Sequence, residues 1–70
     1  MTAHEIGASL YRHRTKAGMS REMLARKAGV SRSAIEYYED GHSAPGILAV
    51  VKIADALGLT IDDLIGRRVP

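Results

Sequence analysis

Seventy residues with no cysteine and a formal net charge of +2 leave room for one small core and exclude a disulfide or thiolate–zinc framework. A chain this short without such staples relies on well-packed helices or on a partner subunit. No apolar run reaches transmembrane length, and His4 and Glu5 interrupt the Met1–Leu10 stretch where a signal peptide needs apolar residues, so the expectation is a soluble protein of the reducing cytoplasm.

Thr2 and Glu5 have the spacing of a capping box, and apolar residues recur at Ala3, Ile6, Leu10 and Ala17, which predicts a first helix over about 3–17, ended by Gly18. Ser20 caps a short second helix whose inward residues are Leu24 and Ala28, and Gly29 supplies the positive φ that stops it. Ser31 caps a third helix over residues 31–40, closed by Gly41. Ser43, Pro45 and Gly46 mark a loop, after which Ile47, Val50, Val51, Ala54 and Leu57 keep helical spacing up to Gly58. Thr60 and Asp63 form a last capping box carrying Ile61, Leu64 and Ile65. No alternation of period two, repeat or low-complexity segment interrupts this series. The prediction is an all-α domain of five short helices over residues 1–66, with a short tail at 67–70.

The charges are unevenly placed. Residues 1–32 hold Arg12, Arg14, Lys16, Arg21, Arg26, Lys27 and Arg32 against Glu5 and Glu22, and the remainder is mainly acidic. A basic half facing a polyanion and a merely solvated helix surface are both compatible with that; position along the helices has to decide between them.

Between helices two and three only Ala28-Gly29-Val30-Ser31 is available, too little for an antiparallel hairpin, so the two helices must cross steeply. Ala25 supplies the small residue that a close crossing wants, and Leu24, Ala28, Val30, Ile35 and Tyr38 supply apolar contacts to hold it. At about 100° per residue, Ser31, Ala34, Ile35 and Tyr38 of the third helix fall on one side. Arg32, Ser33, Glu36, Tyr37 and Asp40 fall on the other. Arg14 shares the inward stripe of Ile6 and Leu10, and a buried guanidinium needs an anion.

The turn Ala28-Gly29-Val30-Ser31, the run Tyr38-Glu39-Asp40-Gly41, Pro45, and Lys52-Ile53-Ala54 with Ala56-Leu57-Gly58 resemble the phage-repressor and Cro-type helix-turn-helix, the xenobiotic-response-element family, over nearly the whole chain. The resemblance implies a compact five-helix repressor-type domain that binds double-stranded DNA with the third helix in the major groove. It also implies a buried ion pair between Arg14 and Glu39 that fixes the first helix against the recognition helix. On the outward face Arg32 is the foremost candidate to meet a base edge, with two donors suited to guanine O6 and N7; its alternative role is a phosphate contact. Ser33, Glu36, which can accept from cytosine N4, and Tyr37 complete the base-contact candidates. Ser20, Arg21, Ser31, His42 and Ser43 are the phosphate candidates, the first two because a helix N-terminus attracts anions. The family usually has Gln at position 21 and often Asn at position 40; Arg21 favours a plain electrostatic contact, and the carboxylate of Asp40 would be repelled by phosphate.

DNA-binding proteins of this kind commonly pair on a palindromic operator, and Ile61, Leu64, Ile65 and Val69 are candidates for a homodimer contact or, for Leu64 and Ile65 above all, for core packing. Repressors, activators, restriction-modification controllers and antitoxins paired with a toxin share this fold. An adaptor presenting Glu36, Tyr37 and Tyr38 to a partner protein is the competing reading. His4, His13 and His42 match no zinc spacing, no phosphate loop or nucleophile turn is present, and no metal, cofactor or enzymatic activity is expected. A cytoplasmic, nucleoid-associated location follows from the same reading.

Overall fold

The computed structural model describes residues 1–66, which form five helices and no strand. In chain order they are α1 (Ala3–Lys16), α2 (Arg21–Ala28), α3 (Arg32–Glu39), α4 (Ile47–Leu57) and α5 (Ile61–Ile65). The expected tail at 67–70, and Val69 with it, lies outside the described residues. No described helix is long and apolar enough to cross a membrane.

Four of the five helices start where a side-chain oxygen accepts a backbone N–H left over in the first turn. Thr2 accepts from Glu5 at 3.1 Å, Ser20 from Met23 at 3.1 Å, Ser31 from Ala34 at 3.0 Å and Thr60 from Asp63 at 3.0 Å. The last is a complete capping box, with the Thr60 N–H donating back to the Asp63 carboxylate. Hydrogen bonding to Thr2 holds the Glu5 carboxyl below its ordinary value. Its small contribution to stability is therefore present above the usual carboxylate range and lost as pH falls through the lowered value. Gly29 and Gly58 stop α2 and α4 at φ of 73° and 69°, a left-handed conformation that side chains with a Cβ disfavour.

Each helix sends one aliphatic side chain into the centre: Leu10, Leu24, Ile35, Ile53 and Leu64 are all fully buried. Burial of each contributes about 1.5–3 kcal/mol, so no helix can leave without opening the core shared by the others. α1 packs on α3 and α5, α2 on α3 and α4, and α4 on α5.

The pattern differs from the sequence expectation at particular positions. Ala17 is exposed and forms the C-cap of α1 rather than a fourth inward residue. Ser31 is exposed as a cap instead of facing inward with Ala34 and Ile35. Ile47 stands in solvent, and it is Ile53, with Val50, Ala54 and Ala56, that carries the α4 core face. Tyr38 is half-buried and packs against the core rather than within it.

Gly7, which no periodicity singled out, is buried where α1 meets the end of α3. A Cβ placed there would lie 2.9 Å from the Glu39 carbonyl oxygen and closer still to that of Tyr38. Both neighbours are backbone and cannot swing aside. In an open helix interior Gly→Ala stabilises by about 0.5–1 kcal/mol; here Gly7→Ala is expected to destabilise by about 1–3 kcal/mol through overpacking. Urea unfolding followed by circular dichroism measures this directly, and an unfolding midpoint that rises instead would mean that α1 and α3 can separate freely.

Candidate nucleic-acid interface

Three residues join α2 to α3. Gly29 and Val30 both donate their N–H groups to the Ala25 carbonyl, at 2.9 and 3.0 Å, which folds the chain sharply back before Ser31 opens α3. Ala25 is buried at this crossing, where a larger side chain would hold the helices apart. The connection is as short as the sequence expectation required, and α2 and α3 pack against each other.

The carboxylate of Glu39 secures that unit. It is almost fully buried, with its side chain 2% exposed, and Arg14 grips it with two hydrogen bonds: Nε donates to Oε2 at 2.6 Å and NH2 to Oε1 at 3.1 Å. The remaining amino group of Arg14 donates to the Met19 carbonyl at 2.9 Å, and Tyr11 lies against its guanidinium at 5.3 Å. The parallel fork matches a carboxylate in a way a lysine could not. This is the ion pair that the resemblance implied, and it ties α1 to the last turn of α3.

A third hydrogen bond comes from a residue whose part in this cluster the sequence did not suggest. Arg21, the first residue of α2, donates from Nε to Glu39 Oε1 at 3.0 Å and faces Glu36 Oε1 with NH1 at 3.8 Å. Hydrogen bonding to Glu39 raises the Arg21 guanidinium above its already high ordinary value, so it stays charged throughout the working range. Arg32 Nε lies 3.5 Å from the same oxygen of Glu36. Arg14, Ser20, Arg21, Glu22 and Arg32 together line a surface depression of about 280 Å³.

Outward from this cluster, Arg32, Ser33 and Tyr37 are exposed and Glu36 is half-exposed, so the four base-contact candidates share one face of α3. Arg32 stands 62% exposed. The phosphate candidates flank that face. Ser20 and Ser31 each use an oxygen lone pair in capping, which leaves their O–H groups able to donate to an anion. His42 is exposed and its ring stacks on Tyr37, with centroids 5.0 Å apart, which joins the loop after α3 to the outward face of that helix. Ser43 donates to the Ala44 carbonyl at 3.3 Å. Asp40 is the C-cap of α3, in line with a turning rather than a binding role. Among the described residues no group of His and carboxylate side chains has the arrangement of a metal site.

Two short helices joined by three residues and packed together, the second presenting an exposed polar face at its N-terminal end, define a helix-turn-helix DNA-binding domain. The chain belongs to the Helix-turn-helix family, whose model matches residues 10–64, a family of DNA-binding transcriptional regulators. It is 35% identical over 63 residues to the cryptic phage CTXphi transcriptional repressor RstR of Vibrio cholerae, a match that spans 90% of this chain and 56% of that protein. The chain thus spans just over half the length of that relative. An uncharacterized HTH-type transcriptional regulator of Archaeoglobus fulgidus is 41% identical over 51 residues, 73% of each chain. Among solved structures, the restriction-modification controller protein C.AhdI from Aeromonas hydrophila superposes with a TM-score of 0.85 at 31% identity, covering 89% of this chain and 94% of that one.

The geometry separates the buried anchor Glu39 from the exposed Arg32, and stability measurements can check the division. Glu39→Ala leaves the Arg14 guanidinium buried without its anion and is expected to cost about 3–5 kcal/mol. Arg32→Ala removes an exposed side chain and is expected to stay within about 0.5 kcal/mol of the parent. Equal losses in urea unfolding of the two variants would overturn the assignment.

Proposed function

We propose that this chain is a sequence-specific transcriptional regulator, a repressor in the first instance, that reads the major groove of an operator with α3. The observation that carries the reading is the face formed by Arg32, Ser33, Glu36 and Tyr37, which stands exposed on a helix anchored from behind by the buried Glu39. The groove admits a single helix, and the side chains near its N-terminus are those that reach base edges. Arg32 suits guanine O6 and N7; Glu36 suits cytosine N4; Ser33 and Tyr37 offer hydroxyls. Ser20, Arg21, Ser31, His42 and Ser43 contact the flanking phosphates and set the register without reading sequence.

One recognition helix spans few base pairs, so the working form is a homodimer on a palindrome whose half-sites lie about one turn apart. Ile61, 37% exposed at the start of α5, is the apolar residue of that helix best placed for a subunit contact; Leu64 is core and Ile65 packs against the core. A cytoplasmic place of action on the nucleoid follows. The near end-to-end match to C.AhdI favours a restriction-modification controller as the second reading of the biological role. A toxin partner is a further extension of the same fold.

Binding of a random duplex pool, selected and sequenced at several salt concentrations, tests the reading. The expected result is a palindromic consensus, an affinity whose logarithm falls linearly with the logarithm of salt, and an Arg32→Ala variant that loses preference at one position of each half-site at a cost of about 1–3 kcal/mol. Binding without any enriched sequence would instead favour a protein partner for the α3 face.

A further inference from the structure

The charged groups behind and on the reading face form one chain. Arg14 fixes Glu39, Glu39 Oε1 accepts from Arg21 Nε at 3.0 Å, Arg21 NH1 faces Glu36 Oε1 at 3.8 Å, and Arg32 Nε lies 3.5 Å from that same oxygen. Side-chain exposure rises along it, from 2% at Glu39 through 39% at Arg21 and Glu36 to 62% at Arg32. An ordinary surface ion pair is weak because two mobile side chains must be ordered and solvent screens them. Arg21 differs in being held already: its Nε is bonded to a buried carboxylate, and a planar guanidinium fixed at Nε has the direction of its amino groups fixed as well. Both ion pairs of Glu36 use Oε1, so Oε2 is the oxygen left for a donor from outside.

We propose that Arg21 is a positioning residue for sequence recognition: anchored on Glu39, it orients the Glu36 carboxylate, and through it Arg32, so that the two present an acceptor and a donor to neighbouring base pairs as one unit. The inference rests on the reading of α3 as the helix in the major groove. It gives Arg21 a role beyond attraction to a phosphate, and it predicts a half-site in which the guanine met by Arg32 and the cytosine met by Glu36 are specified together. A lysine at position 21 would keep the charge but not the fork, since a single ammonium cannot bond Glu39 and hold a fixed direction toward Glu36.

The test compares the sequence selected by the full chain with those selected by Arg21→Lys, Arg21→Ala, Glu36→Ala and the double variant Arg21→Ala/Glu36→Ala, with affinities for the selected duplex measured over a salt series. The expected result is that Arg21→Lys keeps the salt slope of the parent yet loses about tenfold of its preference at the same positions that Glu36→Ala disturbs. Arg21→Ala should add no further loss of preference once Glu36 is Ala, because residues acting as a unit are not additive. Glu36→Ala leaves the Arg14–Glu39–Arg21 cluster in place, so it tests the link even if Arg21→Ala loosens the fold. Uniform weakening on all duplexes by Arg21→Ala, a salt slope reduced by about one and full rescue by Arg21→Lys would overturn the proposal and leave Arg21 a phosphate contact. Absence of any selected sequence with the parent chain would instead overturn the DNA-reading function on which the proposal stands.

Discussion

A carboxylate side chain buried to the extent of Glu39 is costly without cations at bonding distance, and the fold is arranged so that it has them. Arg14 reaches it from α1 and Arg21 from α2, while Glu39 itself belongs to α3. Apolar side chains of similar volume would stabilise such a site about as well. What they would not do is define direction: two hydrogen bonds from one planar group set the rotation of α3 about its own axis, and with it the side of the helix that faces away from the core.

The central aliphatic cluster acts in a complementary way. One side chain from each helix meets at the centre, an arrangement that fixes which elements are neighbours but, being non-directional, leaves small rotations cheap. Shape comes from this cluster, and orientation comes from the ion cluster and from the tight turn at Gly29. The outward face of α3 inherits its placement from both. Arg32, Ser33 and Tyr37 carry no packing in the core, so their chemistry can serve a ligand.

Much of this was legible in the sequence. Ser20, Ser31 and Thr60 announced helix starts because capping is local chemistry, and the brief Gly29 turn allowed no other pairing of its flanking helices. The outward face of α3 followed from a well-spaced helix with few apolar residues. α4 was harder, because Ile47, Leu48, Val50, Val51, Ile53, Ala54, Ala56 and Leu57 leave it apolar around most of its circumference, and a wheel then cannot distinguish the exposed Ile47 from the buried Ile53. Gly7 gave no signal either: its importance lies in the distance between two backbones that are far apart in sequence. The third hydrogen bond on Glu39 depends on the crossing of α2 and α3, which brings position 21 beside position 39, and no local pattern encodes it.

The close approach at Gly7 also bears on the thermodynamics of association. With no side chain between the α1 backbone and the carbonyls that end α3, the two helices are already at contact, and neither can settle further toward the other when a ligand arrives. On the proposed reading, the duplex meets a backbone already packed against α1, and the adjustments needed at each base pair fall to exposed side chains and to the deformability of the duplex itself.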